Sequence, residues 1–234
     1  MLNLQTPEPR AVGDGQSLEL HSIFYTVQGE GIFSGCPALF IRLAGCNLRC
    51  PGCDTEYTQG RLALPTDSIV ERAVGLLPAN LRTPLVVITG GEPFRQNINQ
   101  LISGLLSAIR GLTVQIETNG TYSPLPGCPS EAIVICSPKA GKVADGLIRH
   151  VKAYKYVLDS RYVSLIDGLP TDILGNECLK PARPPLGFKG PIYLSPLDSG
   201  RLLDNDYNIQ AAAKSCMGYG YILNLQIHKL VGLP

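Results

Sequence analysis

The strongest constraint on the fold of this 234-residue chain is a series of short apolar segments that alternate with segments of helical periodicity. Each apolar segment ends in small or polar residues, a pattern typical of parallel strands that are covered on both faces. Helices between such strands supply the cover and the crossover connections. We predict strands at 18–26, 38–44, 85–89, 112–117, 132–136, 154–158, 191–195 and 221–226, and helices at 66–77, 98–109 and 204–216.

Unusual polar clusters occupy four successive predicted strand ends. They are Thr-Gly-Gly-Glu at 89–92, Glu-Thr-Asn-Gly at 117–120, Ser-Pro-Lys at 137–139 and Ser-Pro-Leu-Asp at 195–198. Ligands of α/β proteins bind at the carboxyl ends of the strands, where such clusters meet. The sequence therefore predicts a ligand site at this edge of the sheet.

The number of strands limits the architecture. Of the eight predicted strands we expect about six to seven mostly parallel strands in one sheet, with fewer helices than strands, which predicts an α/β fold built as a partial (β/α) barrel. Residues 1–17 are expected to be a loose N-terminal leader and residues 18–234 a single domain. The proline- and glycine-rich stretch at 170–190 is expected to be an irregular excursion.

Composition excludes several classes of protein. Hydrophobic residues make up 44% of the chain and charged residues 17%, as in a globular protein, and a net charge of +1 gives no reason to expect a nucleic-acid partner. The apolar segments are too short to span a membrane, and the N-terminus has no signal-peptide core. Three of the eight cysteines are clustered and five are scattered, as expected of reduced thiols in a cytoplasmic protein.

The clustered cysteines, Cys46-x-x-x-Cys50-x-x-Cys53, directly follow the predicted strand at 38–44. Three thiolates can hold three irons of a [4Fe–4S] cluster and leave the fourth iron open to a small molecule. The alternatives are a zinc loop and a chance cluster of structural thiols. Zinc usually takes four ligands, and no nearby Cys-x-x-Cys or His-x-x-x-His pair completes the set.

This spacing resembles the signature of radical S-adenosylmethionine (SAM) enzymes, in which the open iron binds SAM. Gly90-Gly91-Glu92-Pro93 resembles their second motif, whose backbone and carboxylate hold the SAM amino group. Glycines permit close backbone approach, and a carboxylate pairs with an ammonium group. One departure is Gly52, since the residue before the third cysteine is usually aromatic in this superfamily and packs near the SAM adenine.

Four further features resemble the 7-carboxy-7-deazaguanine synthases. They are the segment at 24–31, Arg42, the triplet Cys53-Asp54-Thr55, and the ending at 225–234, so the resemblance runs from about residue 20 to the terminus. It implies a radical SAM lyase that converts 6-carboxy-5,6,7,8-tetrahydropterin to 7-carboxy-7-deazaguanine with loss of ammonia, in queuosine-type 7-deazapurine biosynthesis. A 5′-deoxyadenosyl radical removes a hydrogen from substrate C6 and later regains it, so SAM is regenerated.

The resemblance also implies roles for individual residues, with no catalytic side chain beyond the cluster and SAM. Thr55 resembles a Mg²⁺ ligand, and Mg²⁺ is a hard cation that prefers oxygen. The amide of Gln28 suits a pterin edge, and the Arg42 fork suits the substrate carboxylate. The implied SAM contacts are Gly52, Cys53, Asp54, Gly91, Glu92, Ser137, Pro138, Lys139, Ser195, Pro196, Leu197 and Asp198. The implied substrate contacts are Val27, Gln28, Gly29, Arg42, Thr89 and Pro234.

The C-terminal Pro234 is implied to reach the substrate through its carboxylate, with His228 either facing the site or anchoring the tail. The implied partners are an electron donor such as flavodoxin and a second copy of the chain in a homodimer. Three alternatives remain at this point. They are an activating enzyme that forms a glycyl radical on a protein partner, a non-enzymatic metal-stabilised module, and an iron–sulfur electron carrier.

Overall fold

The computed structural model describes residues 3–233 and contains one nine-stranded sheet with the strand order β3-β1-β2-β4-β5-β6-β7-β8-β9. The strands are β1 (Ser17–Val27), β2 (Pro37–Leu43), β3 (Leu62–Pro65), β4 (Leu85–Gly90), β5 (Thr113–Thr118), β6 (Ile133–Cys136), β7 (Val151–Leu158), β8 (Ile192–Pro196) and β9 (Ile222–Leu223). The helices are α1 (Thr66–Leu76), α2 (Asn99–Ala108), α3 (Asp145–Ile148), α4 (Leu202–Tyr219) and α5 (Ile227–Leu230), with 3₁₀ turns at Gly31–Phe33 and Pro93–Arg95.

Strand direction agrees with the predicted fold class. From β2 through β4 to β9 every neighbouring pair is parallel, whereas β1 is antiparallel to both β2 and β3. The hydrogen-bonded order runs from β3 to β9 and, within residues 3–233, does not return to close a ring. The α/β architecture with mostly parallel strands is therefore confirmed, in the form of an open sheet.

Side chains along β2 and β4 point alternately to the hydrophobic core and to the face of the sheet that carries the polar residues. Leu39, Ile41 and Leu43 are fully buried in the main core, together with Ile88 of β4. Successive side chains of a strand point to opposite faces, so Arg42 lies on the other face. There it is in register with Thr89 of β4. The sheet thus presents polar side chains at its carboxyl edge while its other face packs against helices.

Predicted and observed bounds differ by three residues or more in three elements, one of which is β7, which begins at Val151 and not at 154. The last strand, predicted at 221–226, comprises only Ile222–Leu223 because Asn224 turns inward, where its side-chain amide donates to Ser195 Oγ at 2.7 Å and accepts from Gly31 N at 2.9 Å. Helix α4 is longer than predicted and ends where Gly220 adopts a left-handed conformation with φ of 77°. The short elements β3, α3 and α5 were not predicted.

Two segments without helices or long strands pack against the sheet's carboxyl edge. Residues 3–16 run beside the cysteine loop, where Glu8 N donates to Cys46 O at 2.7 Å. The excursion at 170–190 contains only isolated bridges and is fastened by Arg183, whose guanidinium pairs with Asp167 at 2.8 Å. None of the helices in residues 3–233 has the length and apolar character that crossing a membrane requires.

Candidate active site

A cavity of about 330 Å³ opens at the carboxyl ends of the parallel strands. Its volume is that of a small-molecule site, for which about 300–1,000 Å³ is usual. Sixteen residues predicted from the sequence line it, contributed by strands from β1 to β8 and by the loops after them. They are Val27, Gln28, Arg42, Cys46, Cys50, Gly52, Cys53, Asp54, Thr55, Thr89, Gly91, Ser137, Lys139, Pro196, Leu197 and Asp198.

Four other predicted residues lie behind this lining. Gly29 packs against the His228 ring so closely that a Cβ there would overlap it. Pro138 borders a separate small cleft, and Ser195 is 1% exposed with its hydroxyl bonded to Asn224. The fourth is Glu92, described next. Pro234 lies outside the described residues.

The Glu92 carboxylate is enclosed and fully engaged. It accepts hydrogen bonds from Phe94 N at 3.0 Å, from the Thr118 hydroxyl at 2.8 Å and from Asn119 N at 2.8 Å. Burial raises the pKa of Glu92 to about 7, although these donors oppose the shift. The side chain therefore ties the end of β4 to the end of β5.

The three cysteines of the motif border the same cavity. Cys46 Sγ accepts hydrogen bonds from Leu48 N at 3.4 Å and from Asn119 Nδ2 at 3.7 Å, donors that suit a ligating sulfur. Burial raises the pKa of all three thiols, that of Cys46 to about 12. Metal binding here must therefore displace protons from the thiols.

The donor chemistry of these three thiols suits a polynuclear cluster. Within residues 3–233, no three His, Cys, Asp or Glu side chains are grouped so that they could hold one metal ion. Thiolates that bind three different irons do not need to converge on a single point. The donor set, three soft thiolates beside an open cavity, is that of an iron–sulfur cluster with one free position.

Two close backbone approaches explain the glycines of the second motif. A Cβ at Gly91 would overlap the Gly45 carbonyl, which directly precedes Cys46. Gly90 has φ of 137°, in the region that favours glycine. Any larger residue would push the end of β4 away from the cysteine loop, so these glycines set the distance between the two motifs.

The excursion contacts Gly52, the position where an aromatic residue is usual. Gly52 N donates to Leu174 O at 2.9 Å, and the Leu174 side chain lines the cavity. Leu174 has φ of 49°, the one non-glycine residue with positive φ in the described part of the chain. Such strain clusters at ligand sites. Leu174 thus provides an apolar group next to Gly52, and its local sequence carries no signal of this contact.

Two polar atoms of the cavity wall are buried and lack a hydrogen-bond partner in the structure. One is Nε of Arg42, whose guanidinium stacks 5.2 Å from the Phe24 ring. The other is Nδ1 of His228, on α5. Burial lowers the pKa of both side chains. Nδ1 of His228 is enclosed against Gly29, so it does not face the cavity. Arg42 is only half-buried and lines the cavity, so its terminal guanidinium nitrogens are the ones that a ligand can reach.

A buried network of charged side chains also lines the cavity, and the sequence did not predict it. Lys155 of β7 forms an ion pair with Glu30 and approaches Glu117 Oε2 at 3.7 Å. Burial favours the neutral forms, but the pair overrides it, so the pKa of Glu30 is lowered and that of Lys155 is raised. The signal in the sequence was a lysine inside the buried pattern Tyr-Lys-Tyr of β7.

Gln28 belongs to this network. Its Nε2 donates to Glu117 Oε1 at 3.0 Å, and its Oε1 accepts from Glu30 N at 3.1 Å. Both ends of the amide are therefore committed to the protein. In this arrangement Gln28 orients Glu117 and Glu30 at the cavity wall.

At the cavity mouth, Thr55 and Asp54 lie next to each other, with Thr55 Oγ1 donating to Asp54 Oδ1 at 3.2 Å. Lys229 reaches Asp198 at 3.1 Å and Asp54 at 3.9 Å. Hydrogen bonds from Gly200 N, Asn205 and Lys229 hold the pKa of Asp198 at about 2. The hydroxyl and carboxylate oxygens of Thr55 and Asp54 suit a hard cation.

Lys139 lines the cavity close to Cys50 and donates a hydrogen bond to the Ser137 hydroxyl at 2.5 Å. Burial lowers the pKa of Lys139, and the nearby Cys50 thiol opposes this shift. The Ser-Pro-Lys turn thus brings a cation to the cysteine side of the cavity.

Comparisons with known proteins agree with this geometry. Residues 40–127 match the family model described as the radical SAM superfamily. A protein of Rhodospirillum rubrum named 7-carboxy-7-deazaguanine synthase is 41% identical over 96% of this chain and 95% of its own. A Rickettsia prowazekii protein with the same name is 38% identical over 94% and 91%.

Among solved structures, the crystal structure of QueE from Escherichia coli superposes with a TM-score of 0.62. It is 23% identical and is matched over 89% of this chain and 93% of its own, a likeness that supports the fold. The identity to the two relatives extends over nearly the whole length of each protein. The chain therefore belongs to the 7-carboxy-7-deazaguanine synthase family of the radical SAM superfamily.

Proposed function

We propose that this protein is a radical SAM lyase that converts 6-carboxy-5,6,7,8-tetrahydropterin to 7-carboxy-7-deazaguanine with release of ammonia, in queuosine-type 7-deazapurine biosynthesis. The observation that carries the proposal is that one cavity is lined by both the three-cysteine motif and the half-buried Arg42 guanidinium. The first supplies a cofactor site and the second a partner for a carboxylate. Family membership supports the same reaction.

Cys46, Cys50 and Cys53 are proposed to hold the [4Fe–4S] cluster. The cluster and SAM, when bound, supply the 5′-deoxyadenosyl radical that takes the hydrogen from substrate C6. The remaining SAM contacts are proposed to come from three walls of the cavity: Gly52 and Asp54 beside the cluster, Gly91 with Glu92, and the turns at 137–139 and 195–198. Because Glu92 is engaged by internal donors, its main role is to fix the loop that faces SAM.

Arg42 is proposed to bind the substrate carboxylate through its fork, a geometry that matches carboxylates. Thr89 is in register beside it and lines the cavity. Val27, Gln28 and Gly29 form the pterin side, where Gln28 orients Glu30 and Glu117. Thr55 is proposed as a Mg²⁺ ligand whose remaining shell comes from substrate and water.

Three further expectations accompany the proposal. The cluster needs an external reductant, for which we propose a protein of the flavodoxin type. We propose a homodimer, supported by exposed apolar residues on α4 such as Leu202, Leu203 and Met217, which are 67–87% exposed. A cytoplasmic location is supported by eight unpaired cysteines.

Anaerobic turnover tests the proposal. Reconstituted protein is mixed with SAM, reductant, Mg²⁺ and the carboxytetrahydropterin, and products are identified by mass spectrometry. Appearance of 7-carboxy-7-deazaguanine is expected. If SAM is cleaved to 5′-deoxyadenosine without this product, the cofactor assignment stands and the substrate assignment is wrong. A colourless protein that contains zinc would contradict both.

A further inference from the structure

The segment at 3–11 lies against the cysteine loop although it forms no helix or strand. Its side chains alternate in exposure. Asn3 is 9% exposed and Gln5 half-buried, whereas Leu4 between them is 78% exposed. An apolar side chain turned outward and two amides turned inward indicate that the segment makes polar contacts with the loop.

Asn3 contacts the part of the loop between the second and third cysteines. Its side-chain amide donates to Cys50 O at 3.2 Å and to the Tyr57 hydroxyl at 3.4 Å, and its backbone N donates to Pro51 O at 3.0 Å. The Tyr57 hydroxyl in turn donates to Leu48 O at 3.0 Å. Asn3 therefore joins three points of the loop, namely Cys50, Pro51 and Tyr57.

Gln5 pairs with the loop as a neighbouring strand would. Its Nε2 donates to Thr55 O at 2.8 Å, and its Oε1 accepts from Tyr57 N at 2.7 Å. One side-chain amide thus replaces both members of a backbone hydrogen-bond pair. These bonds fix the main chain at Thr55 and Tyr57, two and four residues after Cys53.

The far end of the segment is anchored beneath the first cysteine. Glu8 N donates to Cys46 O at 2.7 Å, and the Glu8 carboxylate pairs with the buried Arg95 at 3.2 Å. Ala11 N donates to Arg95 O at 2.8 Å. Residues 3–11 therefore bind the main chain at Cys46, at Cys50 and two residues after Cys53.

We propose that Asn3 and Gln5 are positioning residues that hold the cysteine loop in the shape required for a stable cluster with one open iron. The inference rests on the proposed function only in so far as these cysteines carry the cluster. Without the two amides, the Cys50 carbonyl keeps only its bond from Cys53 N, the Thr55 carbonyl loses its Gln5 donor, and the loop opens locally more often. Iron is then exposed to competing ligands.

The experiment compares Gln5→Met with Gln16→Met, the same substitution at an exposed site between this segment and β1. Anaerobically reconstituted protein without substrate is mixed with a ferrous chelator, and iron release is followed. Loss of both Gln5 bonds is expected to accelerate release about fivefold. Gln16→Met should stay within about twofold of the unmodified protein. A double variant, Asn3→Leu with Gln5→Met, should release iron faster than either single variant.

Two further measurements separate positioning from general stabilisation. The reduced cluster of the double variant should give a broadened electron paramagnetic resonance signal, whereas the melting temperature of the metal-free protein should match that of Gln16→Met. Equal iron release in all variants would overturn the proposal. So would faster release accompanied by an equal loss of stability in the metal-free protein. Since no pterin is used, neither result depends on the substrate assignment.

Discussion

Arg42→Lys is expected to weaken substrate binding about 30-fold while leaving the cluster intact. Lysine keeps the positive charge but removes the planar fork, so the substitution isolates the second hydrogen bond to a carboxylate. In the structure Arg42 Nε is buried without a partner, and the guanidinium is held over Phe24 at 5.2 Å. With Nε enclosed, a bound carboxylate must use the terminal guanidinium nitrogens of this half-buried side chain. Bonds to charged groups contribute about 1.5–3 kcal/mol, and about 2 kcal/mol corresponds to roughly 30-fold.

The assay is equilibrium binding of the carboxytetrahydropterin to reconstituted protein with SAM and Mg²⁺ but no reductant, so that chemistry does not distort the dissociation constant. Arg49→Lys is the matched control, because Arg49 is exposed in the cysteine loop that follows β2 and does not line the cavity. Tetrahydropterin without the carboxylate is the control ligand, for which the unmodified protein and Arg42→Lys should bind alike. The reasoning is refuted if Arg49→Lys weakens binding equally, or if the control ligand shows the same loss.

Three other predictions follow from the cavity wall. Lys155→Met should lower the free energy of unfolding by about 3–5 kcal/mol at neutral pH, because it leaves Glu30 buried without its counter-ion. Because the pKa of Glu30 is lowered by folding, the stabilisation from this pair is fully present above pH 4.5, the ordinary pKa of a glutamate, and is lost as the pH falls further. The free energies of unfolding of the two proteins should therefore converge in acid. A difference that stays constant with pH would contradict the pairing. Leu174→Ala should weaken SAM binding by about tenfold, whereas Leu186→Ala at a fully exposed site of the same excursion should not; equal affinities would remove Leu174 from the SAM site. Thr55→Val should raise the Mg²⁺ concentration needed for half-maximal turnover, and an unchanged Mg²⁺ dependence would exclude Thr55 as a ligand.

The elements of the parallel sheet could be predicted because their signal is local. The apolar runs of β4 and β5 and the glycines that follow β4 specify strand, turn and close approach within a few residues. Parallel packing then brings the strand ends together, so the shared location of Arg42, Thr89 and the cysteines follows from topology.

The parts of the site that the sequence does not predict depend on contacts between residues far apart in the chain. Leu174 meets Gly52 across more than 100 positions, from an excursion whose composition predicts only irregular structure. Gln5 meets Thr55 and Tyr57 from a segment that composition describes as a leader. Glu92 illustrates a different limit. Its motif predicts a carboxylate near the ligand, but its bonds to Thr118 and Asn119 depend on how β5 ends.

The most direct test of the central claim is the number of 7-carboxy-7-deazaguanine molecules formed per SAM consumed in one anaerobic reaction. If a substrate hydrogen is borrowed and returned, product should accumulate well beyond the SAM that is lost. Product should also disappear in Cys50→Ser, whose loop can no longer supply three thiolates. If one 5′-deoxyadenosine is formed for each SAM consumed and no 7-carboxy-7-deazaguanine is detected, the account is contradicted.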